Sequence, residues 1–479
     1  MSAALGVSVT PNACVSCYTK KRKCDRQLLG CSRCASTGSR CSYQSSSDKV
    51  SRGVPSEAID PSARHGSWRA EIPSRIQFST TQQDRDSLIL SCAHSTLART
   101  GAPRPESLST DYWDSVHWWL PIIDPRRLGQ AVAKYANDVS SAVTVLFLHI
   151  FLLNSQPKVS HVGMEEPYQT LYSTCKSLFT LQCEIQDSPI TTIQSGILLA
   201  VFEIGRGFLS DAYNTLTVCA TLWHHRFDSD PTPTAGGLPQ WDEMHLLWCA
   251  IYTLDRLHCS FSEPQRPFII EQLRNLDTYN AVLTDREEQS SIGQLTAPHG
   301  IERQYQRRIV YFTRQAQAWH ALDKILLLEN PAWADVLTWD SWLQTQLSEV
   351  FQTNEDDWVL PYSPTVVLLL ALIELHIKSI MSFSASGNEN GSARASSLLA
   401  IDTAINVTRD IVGMDDINNI RKMPLAAVLL LQRAIAATSM LISECKTDIG
   451  VLQDLAGSLQ RAKFQWNIAG SDFLGLAVE

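Results

Sequence analysis

A chain of 479 residues exceeds what one compact core accommodates, so two or more folding units are expected. An apolar share of 44% excludes a wholly disordered chain, and a formal net charge of −9, averaged over the length, argues against a nucleic-acid binder. The average hides an asymmetry. Residues 1–45 carry Lys20, Lys21, Arg22, Lys23, Arg26, Arg33 and Arg40 against Asp25 alone, a net charge of +6, which leaves −15 on the remainder. A small basic head on a large acidic body suits a DNA-binding module joined to something else.

Residues 1–10 are expected to form a disordered tail, without the basic patch and apolar run of a secretory signal. Thirteen cysteines without an export signal point to a reducing compartment, where clustered thiols bind metal more often than they form disulfides. The cysteine module spans 11–45. Residues 46–105 are rich in Ser, Arg, Asp, Gln and Pro and read as a flexible linker, with Ser87–Leu97 as the one stretch able to make three helical turns.

The body, 106–479, is expected to be all-α. Apolar residues recur at three- and four-residue spacing over Arg126–Leu153, Glu165–Glu184, Ile190–Phe202, Phe208–His225 and Glu243–Phe261. The same spacing continues over Gln304–Leu328, Ala332–Phe351, Pro364–Phe383, Ala393–Val412, Met423–Cys445 and Asp448–Phe464. Start signals stand at Asn330 with Pro331, Ser363 with Pro364, and Asp448. Breaks stand at Asp228–Pro239 and Ser384–Gly391. The longest uninterrupted apolar runs, Val143–Leu153 and Val366–Ile373, fall short of the ~18 residues of a bilayer span, so buried helices and no membrane partner are expected.

The chemistry concentrates in the head. Cys14, Cys17, Cys24, Cys31, Cys34 and Cys41 have the spacing C-x2-C-x6-C-x6-C-x2-C-x6-C. Zinc takes about four thiolates in a tetrahedron, and C-x2-C supplies two from one tight turn. Six cysteines serve two Zn²⁺ ions if two sulfurs bridge both metals. Such a head has almost no core, so the metals must supply its folding free energy, on the order of 10–16 kcal/mol for structural zinc. The two halves repeat C-x2-C-x6-C but differ in content. Tyr18–Lys23 is densely basic, whereas Ala35–Arg40 is small and polar, which assigns a DNA face to the first half and a scaffold role to the second.

This segment resembles the fungal Zn(II)2Cys6 binuclear cluster family of transcription factors, over residues 13–41. The resemblance implies that Cys14 and Cys31 bridge the metals and that Lys20 and Lys21 read a CGG-like triplet in the major groove. Lysine donors suit guanine O6 and N7. Arg22, Lys23 and Arg26 are expected on phosphate, giving affinity without reading sequence. Two positions depart from the family pattern: Tyr18 stands where members carry Arg, and the loop Asp25–Gly30 lacks the usual proline near Leu29.

The body is similar to the family's fungal-specific transcription factor (middle homology) domain, through Tyr112–Asp124 with its His-x-x-x-Pro stretch and through Glu243–Trp248, Leu254–Arg256 and Pro267. The resemblance implies a nuclear, sequence-specific RNA polymerase II transcription factor and not an enzyme. An activator role, coactivator contacts and specificity for a secondary-metabolite gene cluster are the finer expectations. The alternative is a zinc-stabilised protein-interaction module, or a repressor without direct base readout.

Asp255 and Arg256 are expected to form a buried structural pair. His224, His225, His245 and the cysteines Cys92, Cys175, Cys183, Cys219, Cys249, Cys259 and Cys445 read as core residues. Ser471–Leu476 mixes acid with bulky apolar residues in the manner of a coactivator contact. Residues 46–105 hold no run of three heptads, so monomeric binding and a homodimer paired through the body both stay open.

Overall fold

The computed structural model describes residues 17, 20, 22–25 and 32–37 of the head. In the body it describes 81–135, 140–155, 165–185, 188–227, 238–262, 267–270, 300–352, 362–386, 391–412, 422–443, 448–463 and 465–470. The chain divides into two compact units, Met1–Ser67 and Trp68–Glu479. Residues 1–10 and 46–80, Cys445, and the segment Ser471–Leu476 lie outside the described residues.

Among the described residues every regular element is helical, as the 3.6-residue periodicity predicts. The head holds α1, Ser32–Ser36. The body opens with α2 (Gln82–Arg99) and α3 (Pro105–Trp113), a 3-10 turn at Val116–Trp118, α4 (Pro125–Lys134), α5 (Ser141–Asn154) and α6 (Glu165–Ile185). It continues with α7 (Pro189–Gly205), α8 (Leu209–Phe227), α9 (Leu238–Phe261), α10 (Gly300–Leu326) and α11 (Trp333–Gln352). The last elements are α12 (Tyr362–Ser386), α13 (Gly391–Val412), α14 (Leu425–Ser443), α15 (Ile449–Ala462) and a 3-10 turn at Asn467–Gly470.

Several boundaries differ from the sequence reading. α2 lies inside the stretch assigned to linker and runs longer than Ser87–Leu97. It is capped by the Thr81 hydroxyl, which accepts from Asp84 N–H at 3.1 Å, and it buries Ile89, Ala93 and Thr96 along one face against α5 and α6. The single helix expected over Arg126–Leu153 is two. Asp124 caps α4 by accepting from Arg126 N–H at 2.7 Å, and Ser140 caps α5. Asp448 caps α15 as expected, accepting from Gly450 N–H at 3.2 Å. Ser363 is no cap: it stands inside α12 and donates to Gln315 Oε1 at 2.6 Å. Asn330 turns the chain with φ of 50°, a left-handed conformation that asparagine tolerates better than most residues.

Two helix groups share the core. α7 is buried without interruption from Thr192 to Gly205 and packs on α5, α6, α8 and α9. α12, buried from Ser363 to Ile373, packs on α10, α11, α13 and α14. Helices apolar all round belong at a core's centre. By length and composition, Tyr362–Phe383 and Leu425–Ser443 are apolar enough to cross a bilayer, which counting uninterrupted runs had missed; 67% and 72% of their most apolar stretches are buried inside the body. α9 joins the groups by packing on α7, α10 and α14.

The two body motifs serve this packing. Tyr112 donates to Leu120 C=O at 3.1 Å, and Gln194 of α7 donates to Ile122 C=O at 2.7 Å, which seats the aromatic stretch on the core. His117 is fully buried among Trp113, Tyr112 and Tyr305, and burial beside Arg308 holds it neutral. Close approach explains two glycines. A Cβ at Gly196 would overlap Cys219 and Phe179, and one at Gly205 would overlap the indole of Trp466. Trp466 itself donates to Met423 C=O at 3.0 Å and meets Trp119 edge-on.

Candidate metal centre and nucleic-acid interface

In the first half of the head, Cys17 is buried at 3% exposure, although it joins no apolar cluster. Arg22 N–H donates to Cys17 C=O at 2.8 Å, a closure across five residues of the kind that ends helices. Lys20 and Arg22 belong to this turn, and Lys23 follows it. Lys20, Arg22 and Lys23 are exposed and Cys24 is half-buried. Three cationic side chains therefore face solvent between the buried Cys17 and the half-buried Cys24.

The second half is built on α1. Cys34 sits in its middle at 2% exposure, and Arg33 and Ser36 are exposed. A five-residue helix leaves most of its carbonyls unbonded, and side chains satisfy some of them here. Ser36 and Thr37 hydroxyls donate to Arg33 C=O at 3.0 and 2.9 Å, and Thr37 N–H donates to the same oxygen at 3.2 Å. At the other end, the Asp25 carboxylate accepts from Ser32 N–H through both oxygens, at 3.2 and 3.0 Å. The sequence reading counts Asp25 as a charge and, directly after Cys24, as part of the family signature, without giving it this structural role.

Cys14, Cys31 and Cys41 lie outside the described residues, as do Lys21 and Arg26. Among the described residues no three His, Cys, Asp or Glu side chains come together as a metal site. The donor chemistry nonetheless fits zinc. Cys17 and Cys34, the second cysteines of the two C-x2-C pairs, are buried and in no disulfide, in a unit whose other described side chains are mostly exposed.

Burial pushes Cys183, Cys249 and Cys259 up to about 12, and Cys175 and Cys219 above the usual thiol range. Such thiols stay protonated, which makes them poor ligands and nucleophiles. Cys92 and Cys183 are half-buried rather than core. His245 is buried, with Nε2 3.2 Å from Cys249 Sγ, while His225 is exposed on the last turn of α8, against the expectation of a core residue.

Asp255 and Arg256 are the buried pair the sequence predicts. Arg256 Nη1 donates to Asp255 Oδ2 at 2.8 Å, its Nε pairs with Asp323, and its guanidinium lies over the rings of Tyr252 and Phe268. Asp255 also accepts from Ile269 and Ile270 N–H. Two further polar networks escaped the sequence reading. Glu203 accepts from Tyr172, Lys176 and Thr215 at 2.8, 2.6 and 2.7 Å, while Lys176 also pairs with Asp211. Asp340, His376 and Ser397 line up at 3.0 and 3.3 Å across α11, α12 and α13. Ser397 is fully buried and donates to Ser379 at 3.2 Å, so this chain of bonds clamps helices and offers no accessible nucleophile.

Residues 12–50 match the family model of the fungal Zn(2)-Cys(6) binuclear cluster domain. The matched span contains all six cysteines of the repeat and the basic run between Cys17 and Cys24. The cluster domain binds two zinc ions, and its family consists of DNA-binding transcription factors rather than enzymes. DNA binding, zinc binding and transcription regulation are thereby the functional class of this head. No curated protein matches the chain.

Proposed function

We propose that this chain is a nuclear transcription activator whose head binds two Zn²⁺ ions through Cys14, Cys17, Cys24, Cys31, Cys34 and Cys41 and reads CGG-like triplets in double-stranded DNA. One observation carries the reading: Lys20, Arg22 and Lys23 are exposed along and just beyond a turn rooted in the buried Cys17. Zinc, when bound, supplies the folding free energy that so small a unit lacks. The residues of the turn do the rest. Lys20 and Lys21 reach guanine O6 and N7, at about 1–3 kcal/mol of discrimination per good contact. Arg22, Lys23 and Arg26 neutralise phosphates and set the salt dependence.

The body, 106–479, is the regulatory domain, taken as a middle homology domain on the strength of its two sequence motifs. It regulates output through coactivators, with Ser471–Leu476 as one contact, and is the surface through which any homodimer forms. Its target is a biosynthetic gene cluster of secondary metabolism. The domain division 1–10, 11–45, 46–105 and 106–479 belongs to the same reading, with α2 as an ordered helix ahead of the last boundary.

Gel shifts of the full chain on a CGG-containing duplex and on a scrambled one test the proposal. Replacing Lys20 and Lys21 together by alanine is expected to abolish the preference for CGG while leaving two zincs per chain. A double variant that still prefers CGG overturns the base-reading assignment. A chain holding other than two zincs overturns the metal assignment.

A further inference from the structure

The one acidic side chain of the head works against its charge. Residues 1–45 hold seven basic residues and Asp25, and an acid near a phosphate backbone weakens binding to it. Its place in the fold gives the compensation. Asp25 directly follows Cys24, the last cysteine of the first half, and Ser32 directly follows Cys31, the first of the second. The two-oxygen bond from Asp25 to Ser32 N–H therefore joins the halves at the roots of their connecting loop.

Under the proposed function the bridging sulfurs of Cys14 and Cys31 tie the halves through the metals, and the Asp25–Ser32 contact adds a second joint that does not pass through them. The loop Asp25–Gly30 has no proline to restrict it. The residue before α1, where a capping side chain stands, is Cys31. Under the proposed function its sulfur belongs to the metals and cannot serve the helix. Asp25 takes over from seven residues upstream, with its negative charge at the helix's positive end.

Resting on that proposed function, we infer that Asp25 is a positioning residue. It fixes the second C-x2-C helix against the basic turn, so that the DNA-reading lysines are presented from a rigid two-half frame. The role assigned to it runs through Ser32 N–H.

The test turns on sign. Simple electrostatics predicts that removing Asp25 tightens DNA binding, whereas the positioning role predicts the reverse for alanine and not for asparagine, whose amide oxygen still accepts from Ser32 N–H. In the full chain, Asp25→Ala is expected to keep two zincs and to lose roughly tenfold in affinity for a CGG-containing duplex, the order of a lost helix cap. Asp25→Asn is expected to bind as tightly as wild type or tighter. A second readout needs no DNA: release of zinc to a chelator is expected to be several-fold faster in Asp25→Ala than in wild type or Asp25→Asn. An alanine variant that binds DNA as well as wild type, or fails to hold two zincs, overturns the inference. So does unchanged zinc release. Should wild type itself ignore the duplex, the function reading falls, and zinc release alone still decides the role of Asp25.

Discussion

Replacing Asp255 by alanine removes the acceptor on which a loop, a helix and a buried cation converge. The carboxylate is fully buried and takes hydrogen bonds from Ile269 N–H at 3.0 Å, Ile270 N–H at 3.1 Å and Arg256 Nη1 at 2.8 Å. Truncation leaves two backbone donors without that acceptor, at about 1–3 kcal/mol each when water cannot replace it. Arg256 is spared the worst, since Asp323 still holds its Nε. The expected loss is about 3–5 kcal/mol, the range for breaking a buried pair. That is a large part of the 5–15 kcal/mol typical of a folded domain.

Urea unfolding followed by far-ultraviolet circular dichroism measures the loss at pH 7, with zinc content of the head as an internal control that should not change. Asp255→Asn should cost less. Burial raises the Asp255 carboxyl to about 6, against the pull of the Ile270 and Ile269 amides and of Arg256, so the ionised form is held at a cost that a neutral amide avoids. An alanine variant within about 0.5 kcal/mol of wild type, the range of an inert surface change, would refute the argument that this pair holds the loop to α9.

Two further outcomes are expected of the body. Burial pushes His149 down to about 4 and His245 down to about 3, while in the unfolded chain both titrate near 6.5. Their contribution is whole above pH 6.5 and is lost as pH falls toward those values, by about 2 kcal/mol each at pH 5. Asp255 titrates in the opposite sense and returns about 1 kcal/mol over the same interval. Urea midpoints at pH 7 and 5 test the sum, and equal stability at the two values would count against it. Gly196→Ala puts a methyl group where Cys219 and Phe179 pack. The variant should be about 1–3 kcal/mol less stable, although alanine is the better helix former. A higher melting temperature would show that α6 and α8 yield at this contact.

The parts legible in the sequence were those written locally. Cysteine spacing announces a metal unit without any contact being known, and apolar periodicity places α7 through α15 to within a few residues. What escaped depends on partners far apart along the chain. Lys176 reaches Glu203 and Asp211, and His376 bridges Asp340 and Ser397; no spacing rule says which charges will meet. Ser363 looks like a cap but is needed by Gln315, 48 residues away. α2 was assigned to linker because its flanks are polar, while its narrow buried face, Ile89, Ala93 and Thr96, contributes few apolar letters. The break between α4 and α5 was obscured because both helices continue the same periodicity on either side of Ser140.

The indole of Trp466 lies against Gly205, so the first helix group finishes its core with a side chain made some 260 residues later. A growing chain emerging from the ribosome therefore carries α7 with one flank bare until Trp466 itself has been synthesised. A premature stop codon anywhere upstream of Trp466 would leave the same flank open for good. Quality-control proteases should meet such products as exposed apolar helices, and the body should tolerate loss of its last helices far less than their peripheral position in the sequence suggests.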